Sequence, residues 1–274
     1  MIITKRCVFA SLLVFALSSA VLADFNAATF VSQFNSANSG KGLYFTWSIE
    51  ESYNETQLNF TPGAVDLSAY NSNTSGIYNG TANPGNRGKE YFRTFCIEPY
   101  VQIGNSYGKL SYNSSTGRSS ISSTNSAYNG KTVNLGTAVL YSQFASGTLA
   151  DYNRGNNSQH SADATLLQTA IQATIGVTTV TNWSSNKYLA QLLAINSSQS
   201  YWMGYYDPNQ YYSQVGDYAV FAMNVTASSS NTNWQDFLYV VKVSRDTGVP
   251  EPATLLFWSL GGLTFAGAKL RRRK

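Results

Sequence analysis

Residues 161–175 read SADATLLQTAIQATI, and Gly176 follows them. Leu167, Ala170, Ile171 and Ile175 recur at intervals of three and four, which gathers them into one apolar stripe on an α-helix. Ser161 is placed as an N-cap, and Asp163 would sit in the first turn, where the helix dipole favours an anion. Gly176 is placed to end the helix in a left-handed cap. On the helical wheel Gln168 lies about 100° from Leu167, on the border of the stripe, from which its side chain can reach a neighbouring strand.

The chain on either side alternates in the β manner. Upstream, residues 43–49 (LYFTWSI) and 91–97 (YFRTFCI) read as strands, and downstream so do 217–225 and 237–243 (FLYVVKV). Two further helices are predicted, over 135–145 (LGTAVLYSQFA) and 187–195. Residues 71–88 read as loop, 228–233 as turn, and 111–130 as a long hairpin excursion or a mobile loop. Strands, then helices, then strands predict an α+β fold, mostly antiparallel β (sandwich or barrel-like), with a small inserted helical subdomain.

Both ends of the chain read as targeting segments. Lys5 and Arg6, the apolar run 8–17 and the small-residue site Val21-Leu22-Ala23 predict a signal peptide over 1–23. At the other end, residues 249–274 run from Pro250-Glu251-Pro252 through an apolar stretch of about 16 residues to Lys269, Arg271, Arg272, Arg273 and Lys274. The prolines keep the tripeptide extended. The apolar stretch is close to the lower limit for a membrane-spanning helix, and the basic cluster would hold the C-terminus on the cytoplasmic side. Between them, 24–248 is the expected secreted domain.

Charge follows the same division. The whole chain has 18 Lys+Arg, 14 Asp+Glu and a formal net charge of +4. Setting aside Lys5 and Arg6 with the signal, and five basic residues and Glu251 with the tail, leaves 11 basic against 13 acidic residues. The basic excess therefore belongs to the targeting segments, and nucleic acid is not an expected partner.

Of two cysteines, Cys7 falls in the signal, so Cys96 is the one thiol of the secreted domain, in an oxidising compartment with no partner in its own chain. Paired with Gln168, it suggests a specific reaction. A thiolate attacking a glutamine amide expels ammonia and leaves an internal thioester. That bond then acylates an amine or hydroxyl on another surface. The reaction needs tight positioning and shelter from water. The alternative is an inert buried Cys beside a helix glutamine that bonds backbone. His160, the only histidine, is a possible assisting base or an ordinary loop residue. Gln172, one turn beyond Gln168, is its nearest competitor for Cys96.

Other chemistries find little footing. One His and one Cys cannot make a zinc site, and no calcium loop of the usual spacing occurs, so no metal or cofactor is expected. Glu50 and Glu51 point to opposite faces of a strand and cannot share a glycosidase cleft. No GxSxG elbow is present. The cluster Tyr205-Tyr206-Asp207-Pro208-Asn209-Gln210-Tyr211-Tyr212 either stacks on sugar rings or caps a core edge.

Two resemblances follow from these residues. Tripeptide, span and arginine cluster together resemble the PEP-CTERM sorting tail of Gram-negative bacteria. That resemblance implies export through a secretion translocon, a transient membrane anchor and processing by an exosortase, a membrane-embedded cysteine transpeptidase. It also implies a place on the surface or in an exopolysaccharide matrix. Cys96 and residues 167–172 (LQTAIQ), with LYSQFASGTL at 140–149, VFAMN at 220–224 and QDFL at 235–238, resemble thioester domains of bacterial surface proteins. Their helix reads Thr-Gln-x-Ala-Ile-Trp; here Leu167 stands for the Thr and Gln172 for the Trp. The implied function is a non-enzymatic covalent adhesin, with a surface amine, hydroxyl or polysaccharide as ligand. The alternative is a non-reactive structural or carbohydrate-binding matrix protein of a biofilm.

Overall fold

The helix that Ser161 was expected to cap begins three residues earlier, at Ser158, and ends at Ile175. Ser161 is therefore inside the helix, and Asp163 lies beyond the first turn, which holds no acid. Asp163 serves as an acceptor for neighbouring segments instead of complementing the dipole. The C-terminal signal holds. Gly176 takes φ +82°, and its N–H bonds the carbonyls of Gln172 and Ala173 at 3.1 Å each.

The computed structural model describes residues 25–36, 42–49, 55–60, 90–98, 106–155, 158–227 and 235–243. In chain order the elements are α1 (Ala27–Ser36), β1 (Leu43–Ile49), β2 (Glu55–Phe60), β3 (Glu90–Phe95), β4 (Ser106–Leu110), α2 (Leu135–Ser146) and α3 (Ser158–Ile175). A 3-10 turn (Trp183–Ser185), α4 (Lys187–Ile195), α5 (Gln199–Trp202), β5 (Tyr218–Ala227) and β6 (Phe237–Lys242) complete the series. The signal segment, the loop 71–88, the turn 228–233 and the tail 249–274 lie outside the described residues. No helix among the described residues is long and apolar enough to cross a membrane.

The fold is α+β, built on an antiparallel sheet of order β3-β2-β1-β4-β5-β6. β1 is divided between two neighbours: residues 46–49 pair with β2 and 43–45 with β4. β3 and β6, the outermost strands in this order, also meet, through a bridge between Cys96 and Phe237.

β6 is buried from Phe237 through Val241, which requires cover on both faces. One cover is α1. Its Phe30 and Phe34 lie 6.5 and 5.2 Å from the Tyr239 ring, and Phe30 lies 5.7 Å from Phe221. Asn26 caps this helix, its Oδ1 accepting the Thr29 N–H at 2.9 Å. The Asn35 amide grips β4 with two 2.8 Å bonds to the backbone of Leu110. The other cover is α2, which packs on β5 and β6 and carries α3 behind it. Close approach here depends on Gly136: a Cβ there would stand 2.8 Å from Thr174 Cγ2 and 3.0 Å from the Trp202 carbonyl.

Residues 111–130 are an excursion docked on the sheet. Asn113 bridges Arg118, Ser120 bridges Thr132, and Ile121 is buried in the core. Ser119 Oγ accepts the Ala222 N–H at 2.8 Å. The polar composition that suggested a loose loop supplies acceptors and donors to β5.

Candidate functional site

The site forms where β3 ends against the start of β6. The two segments are joined by side chains as well as backbone. Thr94 Oγ1 donates to the Leu238 carbonyl at 2.7 Å and accepts its N–H at 3.2 Å. Tyr141 of α2 donates to the same carbonyl at 2.9 Å. The Ile97 N–H bonds the Asp236 carbonyl at 2.9 Å. The strand predicted over 91–97 therefore stops at Phe95, and Cys96 and Ile97 continue as a seam against 236–237.

Cys96 carries a thiol, not a disulfide, and is 9% exposed. Gln168 reaches it from α3: its Nε2 donates to the Cys96 carbonyl at 2.6 Å. Gln172, one turn on, directs its own Nε2 to the same carbonyl at 3.5 Å. The stripe Leu167, Ala170, Ile171 and Ile175 is buried and fixes the rotation that aims both amides. Because a carbonyl oxygen can only accept, the Gln168 amide is oriented with nitrogen toward Cys96. Its Oε1 is buried and has no hydrogen-bond partner among the described residues. A bond to backbone is what an inert pair would also make. An inert pair gives no account of the unpaired oxygen, which costs about 1–3 kcal/mol.

A pair of buried acids, which sequence reasoning missed, lies along the same seam. Glu98 Oε2 accepts the Asp236 N–H at 3.1 Å, and the Gln235 amide donates to the Glu98 carbonyl. Asp236 accepts the N–H groups of Ser122 at 2.8 Å and Val225 at 2.9 Å. Burial and then the nearby Glu98 charge push Asp236 well above the usual carboxylate range, against those two N–H bonds. Burial likewise raises Glu98, opposed by hydrogen bonds from Ser123 and Asp236. Glu98 Oε1 has no partner among the described residues. The one signal in the sequence is QDFL at 235–238, which holds Asp236.

His160 is inside α3 and buried, not in a loop. It packs edge-on against Tyr152 with centroids 5.8 Å apart. Eight residues of helix separate it from Gln168, about 12 Å of rise, so it is not brought to the amide. The tyrosine cluster divides. Tyr206 is buried, its hydroxyl accepting the Val220 N–H at 3.0 Å, while Tyr205 and Tyr211 are 40% and 51% exposed. The Arg118 guanidinium lies 4.9 Å from the Tyr205 ring centre. Among the described residues no group of three or more His, Cys, Asp or Glu could hold a metal ion. Pro250, Glu251, Pro252 and the basic residues 269–274 lie outside the described residues.

What the seam can do chemically follows from Cys96 and Gln168. A sulfur nucleophile and an acyl donor are held on adjoining elements, with the would-be leaving nitrogen already anchored to the nucleophile's own residue. No family model, no curated protein and no solved structure matches the chain.

Proposed function

We propose that this chain is a secreted bacterial surface or extracellular-matrix protein, sorted by an exosortase, that acts as a covalent adhesin through a Cys96–Gln168 thioester. The sulfur bonds the Gln168 amide carbon, the carbon–nitrogen bond breaks, and nitrogen leaves as ammonia with the thiol proton. A surface amine or hydroxyl then attacks the acyl carbon, taking the acyl group from sulfur and regenerating the thiol. The observation that carries this reading is the Gln168 amide, whose Nε2 donates to the Cys96 backbone carbonyl at 2.6 Å while its oxygen is buried without a donor among the described residues. The meeting of β3 and β6 at Cys96 supports a further reading of the sheet as barrel-like, with the reactive pair at its closing seam.

Intact mass of the mature domain tests the chemistry. The expected mass is short by one ammonia, and methylamine should add to the protein and abolish the deficit. Full mass in a domain never exposed to amines would leave a non-reactive matrix protein. That second reading draws on the exposed Tyr211 and on the exposed Tyr205, over whose ring the Arg118 guanidinium lies, side chains suited to sugar rings. Sorting is tested separately. Glu251→Ala should leave membrane insertion intact and block processing in a host with its exosortase; normal processing would reduce the tail to an anchor.

A further inference from the structure

Four side chains form a closed circuit of contacts around Gly204. Met203 and Tyr205 flank that glycine and are 42% and 40% exposed. Met203 Cε and Lys131 Nζ both approach Gly176, at 3.5 and 3.7 Å from where a Cβ would lie. Thr132, next in the chain after Lys131, accepts from Arg118 Nη1 at 3.5 Å, and the Arg118 guanidinium returns to the Tyr205 ring at 4.9 Å. Two exposed apolar side chains thus lie next to two cations. Neither cation has an acid partner among the described residues. Asp207, two residues beyond Tyr205, is already engaged: its Oδ1 accepts the Asn209 N–H at 2.9 Å and its Oδ2 the Tyr205 hydroxyl at 3.3 Å.

The Tyr205 ring is also set in place. Its hydroxyl is tied to Asp207, and Gly117 packs so close to that hydroxyl that a Cβ there would have no room. An aromatic platform fixed beforehand loses little conformational freedom when a ligand lands on it. Sugar rings present C–H faces that pack on aromatic and apolar side chains, while a carboxylate takes charge-assisted bonds from a guanidinium or an ammonium. We propose that this circuit binds an acidic polysaccharide, a chain of uronate type: its rings lie on Tyr205 and Met203, and its carboxylates are held by Arg118 and Lys131. The inference rests on the carbohydrate-binding reading, whose ligand class it names, and is independent of the thioester. Gly176 and Gly204 carry no side chain to keep the polymer from the floor of the circuit.

Calorimetry tests the assignment on the purified protein carrying Cys96→Ala, in which no covalent capture occurs. The probes are polygalacturonate, its fully methyl-esterified form, which keeps the rings and loses the charge, and polyglutamate, which keeps the charge and has no rings. Polygalacturonate should bind most tightly. Arg118→Gln and Lys131→Gln should each weaken it about tenfold, the size of one charge-assisted bond lost, and leave binding of the ester unchanged. Tyr205→Leu should weaken both sugar polymers about fivefold. Should Tyr205→Leu not fold, Met203→Ser, at an exposed position, reads the same apolar contact. Parent affinity for polygalacturonate in both Arg118→Gln and Lys131→Gln overturns the proposal. Equal affinity for polygalacturonate and its ester overturns the acidic class and leaves a neutral carbohydrate surface. Polyglutamate bound as tightly as polygalacturonate overturns the role of the rings. No binding of either sugar polymer overturns the proposal and the carbohydrate-binding reading together, while the mass of the protein with Cys96 intact decides the thioester separately.

Discussion

Two of the polar anchorages of helix α3 are finished differently. Near its start the Asp163 carboxylate is fully buried and supplied with donors: the Asn153 N–H at 2.8 Å, Gln159 Nε2 at 2.7 Å and Lys187 Nζ at 2.6 Å. Burial opposes its ionisation, yet the bonds from Lys187, Asn153 and Gln159 prevail and hold it below the usual carboxylate range. Further along, Gln168 is anchored by nitrogen only among the described residues, and beyond it the Glu98 charge acts on Asp236, with no ion pair to either acid among the described residues. The same helix therefore shows that this fold can complete a buried polar site. The contrast is between these two side chains and not between whole regions, since Tyr152 Oη near the start of α3 is also buried without a partner among the described residues.

Removing Lys187 attacks the finished end and should have the largest effect. Lys187→Met leaves Asp163 buried without its cation, and denaturant unfolding should show a loss of about 3 kcal/mol. The melting temperature of this variant should also lose most of its acid sensitivity. A depressed carboxylate pKa contributes stability that is present above the unfolded value and disappears as pH falls through the folded one.

The acid pair at the seam has the opposite sign, and its effect should be smaller. Raised carboxyl pKa values give a contribution that is full at low pH and declines as pH rises from the ordinary carboxylate value toward the folded one. Glu98→Gln removes the neighbouring charge that raises Asp236. Its melting temperature should decline less than the parent's between acid and neutral pH. Equal slopes would mean that the two acids do not sense each other.

Gln168 should give the smallest effect on stability once the thiol is absent. In a Cys96→Ala chain, Gln168→Met removes one bond and one unsatisfied oxygen together. Unfolding should then stay within about 1 kcal/mol of the Cys96→Ala parent. A loss as large as that of Lys187→Met would make Gln168 a structural anchor like Asp163 and erase the contrast.

Much of this was legible in the residues. Periodicity found α2, α3 and α4, and the apolar run of β6. The hydrogen bond from Gln168 to the Cys96 carbonyl, across 72 positions, joins two residues that a stripe and a resemblance single out. The elements that were missed share a cause. In α1 the pattern Asn26, Phe30, Phe34 is diluted by Ser and Asn, and its phenylalanines find their meaning only against Phe221 and Tyr239. β2 alternates faintly, with Leu58 buried among polar neighbours. β4 is five residues containing Gly108, whose carbonyl a Cβ at Gly42 would meet at 2.4 Å. Helix starts are weakly written: Ser161 looked like a cap, but packing carried the helix back to Ser158 and turned Asp163 toward Lys187. The acid pair was illegible because it depends on two segments 138 positions apart.

That separation has a consequence for the order of events as the chain emerges. Thr94 and Leu238 are joined across 144 positions, and β6 is the final strand of the described chain. Until β6 arrives, Cys96 has neither its bridge to Phe237 nor the Asp236 carbonyl beside it. The helix bearing Gln168 is synthesised well before, and local contacts let it form early. Cys96 and Gln168 thus meet late in synthesis; on the proposed thioester reading, they would stay apart until then. Closing that long loop is the slow step, so under the proposed function the seam would act as a timer, completed only when β6, the final strand of the described residues, joins elements already in place around it.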